Sequence, residues 1–276
     1  MKNISINSLK LVPKDLATRL SLAMRCAEEA GNIVLSKISG SFETRSKGLN
    51  DVVTAVDIEV ERFIVACLSQ EFPRDGFYGE ESGIKTSHES GRWIIDPIDG
   101  TDDFIHRIPN FTISIAFQDE VGELCVGVVY NPSQRELYCA AKGMGAFLNG
   151  SPISVSRISA PGKAMVITAP PLRIHERAPW YFALMQRIFL QTWDERNFGS
   201  AALHLAYIAS GRADAFYEIG LKPYDIAAGF VILREAGGSW SGFEDGEDPL
   251  ATGRVLATNG ALHEWFKDQI KAIPEF

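Results

Sequence analysis

The sequence predicts a mixed α/β chain of the α+β kind, in which antiparallel strands are flanked by amphipathic helices. Three observations carry this. Leu16, Leu20, Met24, Ala27, Val34, Leu35 and Ile38 recur at helical spacing over residues 15–38. The stretch Trp93 to Asp103, W-I-I-D-P-I-D-G-T-D-D, opens as a buried strand and ends in carboxylates. Beyond it, segments at 111–118, 124–130 and 137–141, followed by an Asn149-Gly150 hairpin signal, read as an antiparallel meander.

Taken in order, residues 1–13 read as a loose lead-in ending at Pro13, without the basic and apolar pattern of a signal peptide. The first helix runs to about Ile38 and is ended by Gly40. Lys47 and Asp51 read as solvated loop charges. Thr54 followed by Asp57 makes a capping-box pattern. It opens a helix with Val60, Phe63, Ile64, Cys67 and Leu68 on one face, closed by Pro73. Asp57 reads locally as a capping residue. Phe77-Tyr78 reads as a short strand that puts Glu80 or Glu81 at its end, where ligands gather. Taken alone, the acidic pair also reads as an exposed turn.

The central stretch carries the chemistry. Trp93-Ile94-Ile95 delivers Asp96 to a strand end, and Pro97 is expected to stop the strand. Asp99 follows, Gly100 turns the chain, and Thr101 is expected to cap a short helix. Carboxylates pinned on one turn repel each other and are best tolerated around a cation. Amides of Gly100 to Asp102 at a helix start would suit an anion. A cation site beside an anion site suggests metal-assisted phosphate chemistry, against the plainer reading of an acidic surface turn. A covalent aspartyl-phosphate motif, D-x-D-G-T, fails because Pro97 stands where the nucleophile would be. His106 and Arg107 read as structural or rim residues.

After a change of character near residues 155–162, a strand is expected over 164–169 and a helix over 180–190. Asn197-Phe198-Gly199-Ser200 leads a small-residue helix at 201–210, and a strand at 213–218 ends in Glu218. Lys222-Pro223-Tyr224-Asp225 opens an apolar helix, with Asp225 in its first turn, where it would stabilise the dipole. A closing strand at 254–259 and a helix at 261–273 complete the chain. The expected organisation is an N-terminal α+β half, 1–158, and a C-terminal α/β half, 159–276, packed as one unit.

Composition bounds the partners. With 276 residues, 46 % hydrophobic and 22 % charged, the chain has enough apolar material for a large core. A net charge of −8 argues against a nucleic-acid surface, and no stretch approaches a membrane span. The four scattered cysteines, Cys26, Cys67, Cys125 and Cys139, read as buried reduced thiols of a cytoplasmic protein.

These pieces, in this order, resemble the inositol monophosphatase family. The matching residues are G-E-E-S at 79–82, W-I-I-D-P-I-D-G-T at 93–101, G-S-A-A at 199–202 and P-Y-D-I-A-A-G…E-A-G-G at 223–238. The K-x-x-x-D-x-V-T-x-x-D run at 47–57 also matches, and the resemblance spans roughly residues 15–270. It implies a layered α-β-α-β-α sandwich of the sugar-phosphatase type, shared with the fructose bisphosphatases and usually built as a homodimer. It implies Li⁺-sensitive hydrolysis of a small phosphomonoester by a metal-activated water, with Mg²⁺ (two to three ions, Mn²⁺ as an alternative). Glu80, Asp96 and the Ile98 carbonyl resemble ligands of one metal, and Asp96, Asp99 and Asp225 those of a second. Glu80 and Thr101 resemble the groups that orient the water, with Asp57 supporting Thr101. Asp99, Gly100, Thr101, Gly199, Ser200, Ala201, Glu218 and Asp225 resemble the substrate-binding set.

Two departures stand out: Asp102-Asp103 where inositol-type members commonly carry Thr-Asn, and Tyr224 where Trp is usual. The implied substrate is myo-inositol monophosphate. The alternatives are histidinol phosphate, adenosine 3′,5′-bisphosphate, or a regulatory relative without turnover.

Overall fold

The structure, a computed structural model, describes residues 14–40, 44–48, 51–85 and 90–273. The lead-in expected over residues 1–13 and the side chains of Lys47 and Asp51 lie outside the described residues.

The first helix, α1 (Lys14–Lys37), buries Leu20, Ala23, Cys26, Ala27, Ala30 and Val34, as its apolar spacing requires. A hairpin, β1 (Thr44–Gly48) and β2 (Asp51–Thr54), follows where the sequence suggested loop. Thr54 then caps α2 (Ala55–Glu71) through the reciprocal box with Asp57. Next come β3 (Gly76–Gly79), β4 (Gly83–Lys85), β5 (Arg92–Asp99) and the short α3 (Thr101–His106). The meander is β6 (Thr112–Gln118), β7 (Leu124–Asn131), β8 (Glu136–Ala141), β9 (Gly145–Leu148) and β10 (Ser151–Ile153).

These strands form one eight-stranded sheet in the order β10-β9-β8-β7-β6-β5-β3-β4. Pairing is antiparallel except between β3 and β5. Asn149 (φ 49) and Gly150 (φ 77) both turn left-handed between β9 and β10, the geometry that an Asn-Gly hairpin favours.

Pro97 does not stop β5. The strand runs on to Asp99, and the register against β6 slips by one residue between Asp96↔Ser114 and Asp99↔Thr112. A bulge is one of the few places a sheet accepts proline, because the missing N–H costs no ladder bond there. The bulge brings Asp96 and Asp99 towards the same end of the sheet.

The second sheet and the helices around it comprise β11 (Met165–Thr168), α4 (Ala178–Phe189), β12 (Asp194–Arg196), α5 (Ala201–Ala209), β13 (Ala215–Glu218), α6 (Pro223–Glu235), β14 (Ser239–Ser241), α7 (Pro249–Thr252), β15 (Val255–Thr258) and α8 (His263–Lys271). Its five strands are ordered β12-β11-β13-β15-β14, with β11 parallel to both β12 and β13.

Three apolar clusters define the layers. The first joins α1 and α2 to one face of the large sheet. A second fills the space between the sheets with α5 and α6. The third joins α4 and α8 to the outer face of the small sheet. The architecture is the α-β-α-β-α sandwich.

Gly127 on β7 lets α6 lie directly on the large sheet. A Cβ there would stand 2.4 Å from the Ala228 carbonyl oxygen and 2.9 Å from Val231 Cβ. Gly127→Ala is therefore expected to destabilise the fold by about 1–3 kcal/mol, read as a lowered urea midpoint with unchanged slope.

Cys26 on α1 and Cys67 on α2 are joined as a disulfide, which corrects the expectation of four reduced thiols. The pairing arises where the two helices meet across 41 residues of sequence, beyond the reach of local pattern. Cys125 and Cys139 are free and buried.

Candidate active site

Five segments meet in one cleft between the sheets: the end of β5 with the start of α3, the turn after β3, the loop after β11 with Ala169 to Arg173, the start of α5, and β13 with the start of α6. The cleft encloses about 260 Å³ and is lined among others by Glu80, Asp96, Ile98, Asp99, Thr101 and Asp225. That volume suits a small molecule.

Asp96, Asp99 and Asp225 are buried and present oxygens within 4.8 Å of one another. Asp96 accepts the Ile98 N–H at 3.0 Å. Asp99 accepts the Ser200 hydroxyl at 2.5 Å and the Ala202 N–H at 2.7 Å, which ties β5 to the start of α5. Asp225, expected only to stabilise the dipole of α6 from its first turn, also accepts the Lys222 N–H at 2.6 Å and so helps to cap that helix. One carboxylate can thus both shape a backbone and face the cleft.

Burial pushes the Asp96 carboxyl well above the usual range, and the charges of Glu80, Asp99 and Asp225 push it further. Burial raises Asp99 to about 6 despite its hydrogen bonds from Ser200 and Ala202. Burial and then Asp99 raise Asp225 to about 8. A cluster that resists its own ionisation is one that a cation would stabilise. All its donors are hard oxygens, so the residues present fit Mg²⁺ or Mn²⁺ and not a soft metal.

Glu80 stands one residue beyond β3 and is hydrogen-bonded to Asp96. Its turn is held by Glu61 of α2, which sequence reading missed. Glu61 accepts the Glu81 N–H at 2.8 Å and the Ser82 N–H at 2.9 Å, and packs where a side chain on Gly79 would stand. The one signal for it was an acid four residues after Asp57, on the same helix face. Glu61→Ala leaves two amides without their partner. It is expected to cost about 2–4 kcal/mol in denaturant unfolding.

Gly100, with φ 89, is the residue that precedes α3, and Thr101 is its first helical residue rather than its cap. A left-handed turn at this point is open to glycine and not to threonine, which moves the boundary by one. The Thr101 hydroxyl lies 3.0 Å from the Ile98 carbonyl and 3.3 Å from Asp57 Oδ1. Asp57 Oδ2 holds the Thr54 N–H at 2.8 Å and its hydroxyl at 2.5 Å. Burial raises Asp57 to about 6, against the bonds from Thr54.

The far wall holds Gly199, Ala201, His204 and Glu218, while Ser200, expected from the sequence among the substrate-binding residues, is fully buried behind it. Ser200 caps α5, accepting the Leu203 N–H at 3.1 Å. Asp103 packs against Gly199, where a Cβ would lie 2.2 Å from Asp103 Oδ2. Burial and then Asp102 raise Asp103 to about 6. Asp103 is therefore the half-buried member of the Asp102-Asp103 pair, and Asp102 the exposed one. Glu218 is raised by burial and by the charges of Asp225 and Asp99. Tyr224 meets Tyr78 edge-on at 5.8 Å, and neither ring lines the cleft. His106 and Arg107 are exposed and line no part of the cleft.

Comparison with known proteins gives consistent neighbours. The sequence profile described as the inositol monophosphatase family matches residues 15–275. "Nus factor SuhB" of Escherichia coli K12 is 39 % identical over 243 residues, 87 % of this chain and 91 % of that protein. Among solved structures, the "extragenic suppressor protein suhB" of Bartonella henselae superposes with a TM-score of 0.89 at 32 % identity. That match covers 92 % of this chain and 98 % of that one. The inositol monophosphatase of Anabaena (Nostoc) sp. PCC 7120 superposes at 0.85 with 33 % identity, covering 94 % and 98 %.

Proposed function

The chain belongs to the inositol monophosphatase family, and from that premise we propose that it is a divalent-metal-dependent phosphatase of a small hydroxylated phosphomonoester, myo-inositol monophosphate foremost. The observation that carries this reading is the group of three buried carboxylates beside the Gly100-Thr101 turn.

In this reading Asp96, Asp99 and Asp225, with Glu80 and the Ile98 carbonyl, hold two to three Mg²⁺ ions, Mn²⁺ being the alternative. When bound, such ions acidify a water and shield the phosphoryl charge. The chain's own groups do the rest. Thr101, steadied by Asp57 and the Ile98 carbonyl, orients the attacking water together with Glu80. The Gly100 and Thr101 amides receive the phosphate. Gly199, Ala201 and Glu218 face the alcohol portion, and Ser200 holds Asp99 from behind. The proposal includes a homodimer in the cytoplasm. Among the described residues no helix is long and apolar enough to cross a membrane.

A second reading is a regulatory relative that binds without turnover. It is favoured by one observation, that the Escherichia coli relative at 39 % identity is named a Nus factor and not a phosphatase.

Phosphate release from inositol 1-phosphate, histidinol phosphate and adenosine 3′,5′-bisphosphate, measured side by side with Mg²⁺, separates these readings. Preference for inositol 1-phosphate supports the first. Preference for another ester keeps the chemistry and changes the substrate. Retained Mg²⁺ binding with no release from any ester favours the second.

A further inference from the structure

Among the described residues, two buried polar side-chain atoms have no hydrogen-bond partner, His204 Nδ1 and Glu218 Oε2. They face each other across 3.9 Å, too far for a direct hydrogen bond. Both residues line the cleft.

The ring's other nitrogen fixes its chemistry. His204 Nε2 accepts the Phe198 N–H at 3.0 Å, so Nε2 carries the lone pair. Burial pushes the imidazole down to about 3 and keeps it neutral. A neutral ring with Nε2 accepting carries its one proton on Nδ1. The ring is held between Phe198 and Phe216, with centroids 6.3 and 5.1 Å away, so it presents that proton in a fixed direction. Opposite it stands an acceptor, the Glu218 carboxylate. Both atoms are closed to solvent, so an oxygen reaches them only when the two side chains part slightly, and set beside the line that joins them it then lies at hydrogen-bond distance from both. Only an oxygen that both accepts and donates satisfies the pair, and an alcohol is such a group.

We propose that His204 is a substrate-binding residue: its Nδ1–H and the Glu218 carboxylate together grip one hydroxyl of the substrate's alcohol portion. The assignment rests on the phosphatase reading and narrows it to polyol or cyclitol esters that keep a free hydroxyl near the phosphate. A deoxy or aryl ester would leave both buried groups unpaired, and a site of that kind discriminates strongly against such analogues.

Two substitutions separate the two ring nitrogens. His204→Asn places an amide nitrogen about where Nδ1 stands and gives up the acceptor for Phe198. His204→Gln keeps an acceptor about where Nε2 stands and gives up the donor to the gap. The readout is the ratio of kcat/KM for inositol 1-phosphate to that for p-nitrophenyl phosphate, which lacks the hydroxyl. The ratio is expected to fall about tenfold in His204→Gln and to stay within about threefold of wild type in His204→Asn. An unchanged ratio in the glutamine variant, or a fall no larger than in the asparagine variant, overturns the assignment.

A second measurement does not depend on turnover. In ¹⁵N-histidine NMR of the wild-type chain, the His204 Nδ1 resonance is expected to be that of a protonated nitrogen and to shift when inositol 1-phosphate is added. Absence of that shift overturns the assignment. If wild type releases phosphate from neither ester, the proposed activity fails, and the NMR titration alone decides for or against His204.

Discussion

Asp96→Asn is expected to abolish phosphate release while making the metal-free protein more stable above neutral pH. The side chain sits buried among Glu80, Asp99 and Asp225, and each of those charges opposes its ionisation. Asparagine preserves the shape and the acceptor for the Ile98 N–H, which approaches Asp96 Oδ1 at 3.0 Å. It removes the negative charge a cation would need. Removing several kcal/mol of charge stabilisation should lower kcat/KM by roughly a thousandfold or more. Relief of that repulsion should raise unfolding stability at pH 8 in a chelator, read as a higher urea midpoint than wild type. Added Mg²⁺ should raise the melting temperature of wild type and not of the variant. Equal losses of activity and stability would mean that Asp96 is a structural residue.

The same carboxylates predict how stability depends on pH. In an unfolded chain these carboxyls release their protons near pH 4. In the fold Asp57 and Asp99 are raised to about 6 and Asp225 to about 8. Between those limits the folded state binds more protons than the unfolded state, so stability falls as pH rises. The contribution is fully present below about pH 4 and is lost as pH passes 6 and then 8. A shift of about two units corresponds to about 3 kcal/mol. The melting temperature of the chelated protein is therefore expected to decline steadily from pH 5 to pH 8.5. Mg²⁺ competes with those protons, so its stabilising effect should grow over the same range. A flat profile in chelator, or a Mg²⁺ effect that is larger at pH 5 than at pH 8.5, would contradict the cluster as described.

Local pattern made much of the fold legible. Apolar spacing placed α1 almost to the residue, the Thr54–Asp57 pair announced the start of α2, and Asn149-Gly150 announced a hairpin. These are signals whose physics lies within a few residues. What was missed depends on contacts distant in sequence. Pro97 argued for a strand end, but the bulge against β6 absorbed it. The β1–β2 hairpin carries polar residues without apolar alternation. The partners of the Cys26–Cys67 bridge lie 41 residues apart.

The candidate site divides the same way. Its acids stood out because carboxylates at strand and helix ends are conspicuous. Glu61 holds amides 20 and 21 residues away, and His204 meets Glu218 only once α5 packs beside β13. Neither relation has a local signature.

The proposed function stands on three buried carboxylates that would assemble a metal-dependent phosphatase centre. The most direct measurement is phosphate release from inositol 1-phosphate as Mg²⁺ is titrated from chelated protein, with Mg²⁺ binding followed calorimetrically in the same samples. Release that is absent in chelator, rises with the binding isotherm and vanishes in Asp96→Asn is the predicted result. Full release in chelator, or saturated Mg²⁺ binding with no release from any of the three esters, would contradict it.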